Sequence, residues 1–284
     1  MRAHVAGRVV AITGGARGIG REIARQLAAA GARVAIGDCD SDAVAATATE
    51  LGPAVYGLPL DVTDTVSFRD FLAAIEAQCG PVDVLVNNAG VMWAGPFDTE
   101  PESATRRMLE VNLHGVIRGV QLAAPAMAAR GHGHIVTIAS AAARLSPPGE
   151  STYAATKYGV RGYLTGVREE LRGSGVRLSM IMPAVVDTEL AAGTATGAAK
   201  LLQPTDVASA ALRVITRPRF EVTVPGYVGP LSRVVDVVPQ RARDVVLRRL
   251  VPNQVAATQG SSARARYQSQ LLTPTDTENT DDHD

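Results

Sequence analysis

The chain is poor in cysteine. Cys39 and Cys79 are its only two, and they form neither a CxxC pair nor a ligand-like cluster. That speaks against a disulfide framework and a zinc site, and it fits a reducing compartment. Net charge is also missing, because 28 lysines and arginines balance 28 aspartates and glutamates. No overall field therefore draws the chain to nucleic acid or to an anionic membrane. No uninterrupted apolar run approaches the ~18 residues that a spanning helix needs. The opening "MRAHVAGRVVAIT" enters a predicted strand too soon to hold the apolar core and cleavage site of a signal peptide. No internal repeat suggests a solenoid. Together these absences lead us to expect a cytoplasmic protein with small-molecule partners.

What the chain does have is core. Its 284 residues, 46% of them hydrophobic, can bury a substantial interior. The apolar runs "RVVAIT", "RVAIGD", "AVYGLPLD", "VDVLVN", "HIVTIAS" and "VRLSMIMP" alternate with longer alanine-rich helical stretches. Continuous rather than alternating hydrophobicity marks strands covered on both faces, the habit of parallel sheets between helices. The expected class is α/β, a doubly wound, mostly parallel sheet of the Rossmann type, in one domain over residues 1–230. A further strand, "FEVTVPG" from Phe220, extends the sheet. From Leu231 to Leu250 apolar residues keep helical spacing on both sides of Pro239, so an amphipathic helical extension is expected over 231–257, its stripes covering an apolar pocket or a second subunit rather than lying on a membrane. The polar remainder, 258–284, ends in "TPTDTENTDDHD" and is expected to be disordered.

"TGGARGIG" follows the strand ending at Thr13 and precedes the helical run "REIARQLAAA". Gly14, Gly18 and Gly20 let the chain turn sharply, let a pyrophosphate approach the backbone, and let the helix pack on the strand. Beside Arg17 and Ile19, the free amides of the helix N-terminus then face the phosphates. Asp38, closing the second strand, stands where such a fold places the carboxylate that binds the adenosine ribose. A carboxylate there repels a 2′-phosphate, and Cys39 rather than a basic residue follows it. NAD is therefore expected over NADP, although the Arg17 guanidinium in the loop could pair with that phosphate.

In "STYAATKYGV", Tyr153 and Lys157 stand four residues apart and so share one helix face. By itself such a pair fits an exposed helix face as well as a site. Ser140, however, closes "HIVTIAS" at the carboxyl edge of a buried strand, where ligands bind in open α/β sheets.

The ordered set of motifs resembles the short-chain dehydrogenase/reductase family over roughly residues 7 to 229. It comprises "TGGARGIG", Asp61 with Val62, "NNAG" from Asn87 to Gly90, Asn112, Ser140, and Tyr153 with Lys157. The resemblance implies that Asn112, Ser140, Tyr153 and Lys157 are a catalytic tetrad and that Asp61 contacts adenine. It also implies that Asn88, Ala89 and Gly90 steady the sheet beside the cofactor, that Lys157 bonds the nicotinamide ribose, and that Asn112 holds a relay water. Pro183, Val186 and Thr188 match positions that contact the nicotinamide carboxamide or the phosphate. Ala184 departs from the pattern, which has glycine there, and its methyl is expected to crowd the cofactor pocket.

Hydride transfer to or from an alcohol carbon needs a matched proton transfer at its oxygen. A free tyrosine, with a pKa of about 10, is a poor base at neutral pH. A cation about 4 Å away, at an effective dielectric near 20, favours the phenolate by about 4 kcal/mol before desolvation takes some back. The Ser140 hydroxyl can orient the substrate oxygen towards Tyr153.

The expected function is NAD-dependent interconversion of an alcohol and a ketone or aldehyde, with a lipophilic substrate and a homo-oligomeric enzyme. The alternatives are an NADP-dependent carbonyl reductase and a nucleotide-binding scaffold without turnover. "AAGTATGAA" after Leu190 reads as a substrate lid or as an ordinary mobile loop. His132 and His134 lack a third ligand, so no metal site is expected. Trp93 suits the pocket and the core equally. Arg241, Arg243, Arg248 and Arg249 read as a solvated helix face rather than a membrane contact.

Overall fold

The computed structural model describes residues 5–272. Seven parallel strands form one sheet in the order β3-β2-β1-β4-β5-β6-β7. They are β1 (Val9–Thr13), β2 (Arg33–Asp38), β3 (Val55–Pro59), β4 (Val84–Asn87), β5 (Gly133–Ile138), β6 (Val176–Pro183) and β7 (Glu221–Val224). Every residue of β1 and β4 is buried, as their unbroken apolar runs require of central strands covered on both faces.

One face carries α1 (Gly18–Ala29), α2 (Ser41–Leu51) and α8 (Pro204–Thr216), whose Ile23, Leu27, Val44, Val207 and Val214 join Val10, Ile12 and Ile36 in one core. The other face carries α3 (Thr65–Cys79), α5 (Gly115–Ala129) and α7 (Ser151–Glu170) around Phe68, Phe71, Val120, Leu164 and Met180. Between β4 and α5 lies α4 (Glu102–Leu109), joined to α5 by a wide π turn over Glu110–His114. Strand order reverses between β1 and β4, and this opens a crevice beyond the carboxyl ends of the strands. The short α6 (Ala142–Leu145) stands at its rim.

After β7 come four helices: α9 (Val228–Asp236), α10 (Gln240–Leu250), α11 (Gln254–Thr258) and α12 (Ser262–Leu272). Pro239 caps the start of α10. The disordered tail expected from residue 258 is thus corrected, because residues 262–272 are helical. Composition misled here because polar contacts rather than an apolar stripe order α12. Its Arg264 is buried and bonds the carbonyls of Met92 and Leu190. The acidic end, 273–284, lies outside the described residues. Among the described residues no helix is long and apolar enough to cross a membrane.

Candidate active site

A cavity of about 1050 Å³ runs along the carboxyl edge of the sheet from the glycine loop to the C-terminal helices. At its near end Gly14 has φ +64°, and a Cβ there would lie 2.8 Å from Ala89 Cα. Only glycine fits. Gly18, at φ +55°, meets nothing nearer than the Thr188 methyl group at 3.5 Å, so its missing side chain leaves an open cradle at the N-terminus of α1. Gly20 lies off the cavity wall, and a Cβ there would strike the Gly14 carbonyl. It permits the turn rather than touching a ligand.

"NNAG" has a mechanical role that the distances make plain. The Asn88 side-chain amide donates to the carbonyls of Thr13 and Gly14, each at 2.9 Å. The Thr13 hydroxyl accepts from the backbone amides of Asn88 and Ala89, each at 3.0 Å. The glycine loop is thereby tied to the end of β4. Asp61 accepts from the Thr63 amide and hydroxyl at 2.8 and 2.7 Å, which fixes the turn that presents it and Val62 to the cavity. Ile19, Gly90, Pro183, Val186 and Thr188 also line the wall.

Asp38 faces the cavity and accepts from the Ala16 amide at 3.2 Å. Arg17 is already engaged, pairing with Asp40 at 2.9 Å and Glu189 at 3.3 Å. Ala184, the departure from the family pattern, lines the cavity and packs partly buried against the core, and its amide donates to the Val224 carbonyl at 2.8 Å.

Along the cavity α7 brings Tyr153 and Lys157 to the wall beside the end of β5, where Ser140 stands within hydrogen-bonding reach of the phenol. Both α7 side chains are buried. Burial, reinforced by the charge of Glu150, pushes the Tyr153 phenol above its ordinary value, and the Ser140 hydroxyl pulls it back. The net downward shift expected from Lys157 is therefore corrected: burial sets the direction, which is upward. The Lys157 ammonium lies 5.3 Å from the tyrosine ring centre, and burial lowers its own pKa to about 8. No described residue is seen to hydrogen-bond that ammonium, so a buried donor faces the cavity.

Asn112 lies in the π turn, fully buried and off the cavity wall. Its carboxamide accepts from the Val91 amide and donates to the Val91 carbonyl, both at 2.8 Å. It pins the chain leaving "NNAG" from both sides.

The far end is lined in part by the helical extension, which the sequence offered as an apolar cover for a pocket or a second subunit, and in part by α12, which it did not. Leu247, Leu250, Val251, Tyr267 and Leu271 of the C-terminal helices line it with Leu145, Pro147, Met92 and Leu190. Gln254 is a clasp. Its backbone amide donates to the Pro148 carbonyl at 2.9 Å, and its side chain exchanges bonds of 2.8 and 2.9 Å with Ala195. The segment "AAGTATGAA", read earlier as a lid or a mobile loop, is thus fastened to the approach to α7. The Tyr267 hydroxyl accepts from the Met92 amide at 3.3 Å, Gln268 donates to the Ala94 carbonyl at 2.7 Å, and Arg264 stacks 4.8 Å over the Tyr267 ring. Trp93 belongs to the core cluster with Met92 and Met108 rather than to the cavity wall. His134 is buried on β5 against Ser179, His132 is exposed, and no metal-ligating cluster occurs among the described residues.

Against known families, residues 8–198 match the short chain dehydrogenase model. The chain is 31% identical over 253 residues to dehydrogenase/reductase SDR family member 7B of Danio rerio, covering 82% of each chain. It is 36% identical over 197 residues to the probable oxidoreductase EphD of Mycobacterium tuberculosis, a match that takes in 68% of this chain but 33% of that one. Among solved structures, a short chain dehydrogenase/reductase from Burkholderia phymatum in complex with NAD superposes with a TM-score of 0.76 at 28% identity. That match covers 87% of this chain and 96% of the other.

Proposed function

The chain belongs to the short-chain dehydrogenase/reductase family of NAD(P)-dependent oxidoreductases, and from that premise we propose that it uses NAD to interconvert a lipophilic alcohol and its ketone or aldehyde. The observation that carries this reading is one wall of one cavity. Ser140, Tyr153 and Lys157 meet there between an acidic, glycine-lined end and an apolar end.

The residues fit the cofactor. Gly18 offers an open cradle at a helix N-terminus, Asp38 offers a ribose acceptor, and Lys157 offers a buried ammonium without a protein hydrogen bond. Asp38 repels a 2′-phosphate, and Arg17 would have to leave its exposed pairs with Asp40 and Glu189 to offset that repulsion in full. Bound NAD supplies the hydride acceptor and, while oxidised, a positive charge that favours the phenolate.

The protein's own groups do the rest. Ser140 orients the substrate oxygen, Tyr153 takes or returns its proton, and Lys157 holds the ribose and offsets charge on the phenol. Asn112 fixes Val91 and so the shape of the wall. The apolar far end excludes water and suits a hydrocarbon body. Following reduced-cofactor absorbance with NAD and with NADP across alcohols of increasing chain length tests the reading. NADH formation that improves with chain length is expected. A preference for NADP, or for the shortest alcohols, overturns it.

A further inference from the structure

Glu150 is conspicuous because neither the fold nor the chemistry described so far uses its carboxyl group. It immediately precedes α7, three residues before Tyr153, and is 7% exposed. Its backbone shapes the turn, with its amide donating to the Pro147 carbonyl at 3.1 Å and its carbonyl accepting from the Ala154 amide at 2.7 Å. Its side chain does not cap the helix. Among the described residues the carboxyl group has no hydrogen bond and no ion pair, yet it lines the same cavity as Ser140 and Tyr153. With no protein partner, this largely buried carboxyl group presents its hydrogen-bonding capacity to whatever fills the cavity.

The neighbouring polar groups are already engaged. Gln254 is bonded to Ala195, Tyr267 to Met92, and Thr194 to the Ala191 carbonyl. Arg264, a cation from another element, is felt through its charge, and its two terminal nitrogens bond the carbonyls of Met92 and Leu190 while its Nε is left without a partner. The Glu150 carboxyl group stands near enough for its charge to act on the Tyr153 phenol. A group bonded to Glu150 therefore sits within a few bonds of a carbon that reacts at Tyr153.

We propose that Glu150 is a specificity-determining residue that hydrogen-bonds a second hydroxyl group of the substrate, carried a few bonds from the reacting carbinol on an otherwise lipophilic body. A hydroxyl both donates and accepts, so it satisfies this carboxyl in either protonation state. An ammonium satisfies only the ionised one. Burial raises the Glu150 pKa to about 7, so both states are populated near neutrality.

The inference rests on the oxidoreductase reading and deepens it. Its test compares kcat/KM for a long-chain secondary alcohol, the matching vicinal diol, and the diol with one more carbon between the hydroxyls. The wild type should favour one diol over the mono-alcohol by about tenfold or more, since a site built to bond a hydroxyl discriminates against its absence. Glu150→Leu should bring that ratio to about one, and Glu150→Gln, which still bonds a hydroxyl, should keep most of it. NADH binding measured by fluorescence shows whether each variant is folded. Turnover without discrimination by the wild type overturns the inference alone. So does a Glu150→Leu variant that binds NADH and retains the wild-type ratio. Absence of turnover with every alcohol and ketone overturns the oxidoreductase reading, and this inference with it.

Discussion

Replacing Asp38 with alanine should reverse cofactor preference, and the structure gives the size of the effect. The carboxylate stands at the end of β2 facing the cavity, half-buried, and close enough to act on the Arg17 guanidinium, which pairs with Asp40 and Glu189. Losing a charged hydrogen bond to a ribose hydroxyl costs about 1.5–3 kcal/mol, or about ten- to a hundredfold in NAD affinity. A carboxylate and one phosphate charge about 4 Å apart repel by about 4 kcal/mol at an effective dielectric near 20. Exposure and salt cut this to about 2 kcal/mol, so NADP should gain at least about tenfold. The ratio of the two affinities should therefore move by about a hundredfold or more.

Asp38→Asn is the control, because it keeps an acceptor for the Ala16 amide while removing the charge. It should gain affinity for NADP and lose less for NAD. Fluorescence titration of both reduced cofactors against the wild type and both variants measures all six constants. A wild type that already prefers NADP, or an Asp38→Ala variant with an unchanged ratio, would refute the electrostatic reasoning.

Tyr153→Phe should lower kcat by about a thousandfold or more while NADH affinity, read by fluorescence, stays within a few-fold. Lys157→Met should damage both, and a loss confined to kcat would remove its ribose role. Two buried groups should oppose each other in the pH dependence of stability, measured by urea unfolding between pH 4 and 7. Burial, with Arg8 and Arg177 nearby, lowers the His134 pKa to about 4 from 6.5, so its stability contribution is lost as pH falls through that window. Burial raises the Glu150 pKa to about 7 from 4.5, so its contribution is lost as pH rises. Each is worth about 3 kcal/mol at full extent. Glu150→Gln should make the protein more acid-sensitive, and His134→Gln should make stability fall with rising pH; identical profiles for the two variants would contradict both assignments. Arg264→Met should leave NADH affinity within a few-fold but raise KM for long-chain alcohols more than for short ones, since Arg264 holds Met92 and Leu190 at the apolar end. Equal increases for both classes would assign Arg264 to general folding.

Much of the fold was legible because strands buried on both faces must be continuously apolar, and because the glycines at 14, 18 and 20 answer to local sterics. Tyr153 and Lys157 could be read as neighbours since helical spacing is a local rule. At the far end the apolar extension could be read as a cover for the pocket, but the contacts that seat it could not. Gln254 meets Pro148 and Ala195, and Arg264 meets Met92, across separations that no local pattern encodes. Their helices are held by carbonyls accepting from buried donors, a means of attachment that leaves no apolar stripe in "SARARYQSQLL". The direction of the Tyr153 shift was likewise out of reach, because it depends on how completely the phenol is removed from water.

The π turn between α4 and α5 settles a conflict of rotational phase. Each residue of an α-helix advances about 100° around its axis. Upstream of the turn the rod must aim Ala104 and Met108 at the cluster around Trp93, downstream it must aim Val116, Val120 and Met127 at the sheet, and between them Asn112 must reach Val91. The wider turn over Glu110–His114 supplies the angular offset that lets one rod meet all three demands. Deleting a single residue there would swing α5 by about a quarter-turn, turning its valines off the sheet whichever residue was removed. Chain length in this segment is thus constrained independently of side-chain identity, and Asn112 can be transplanted only together with its turn.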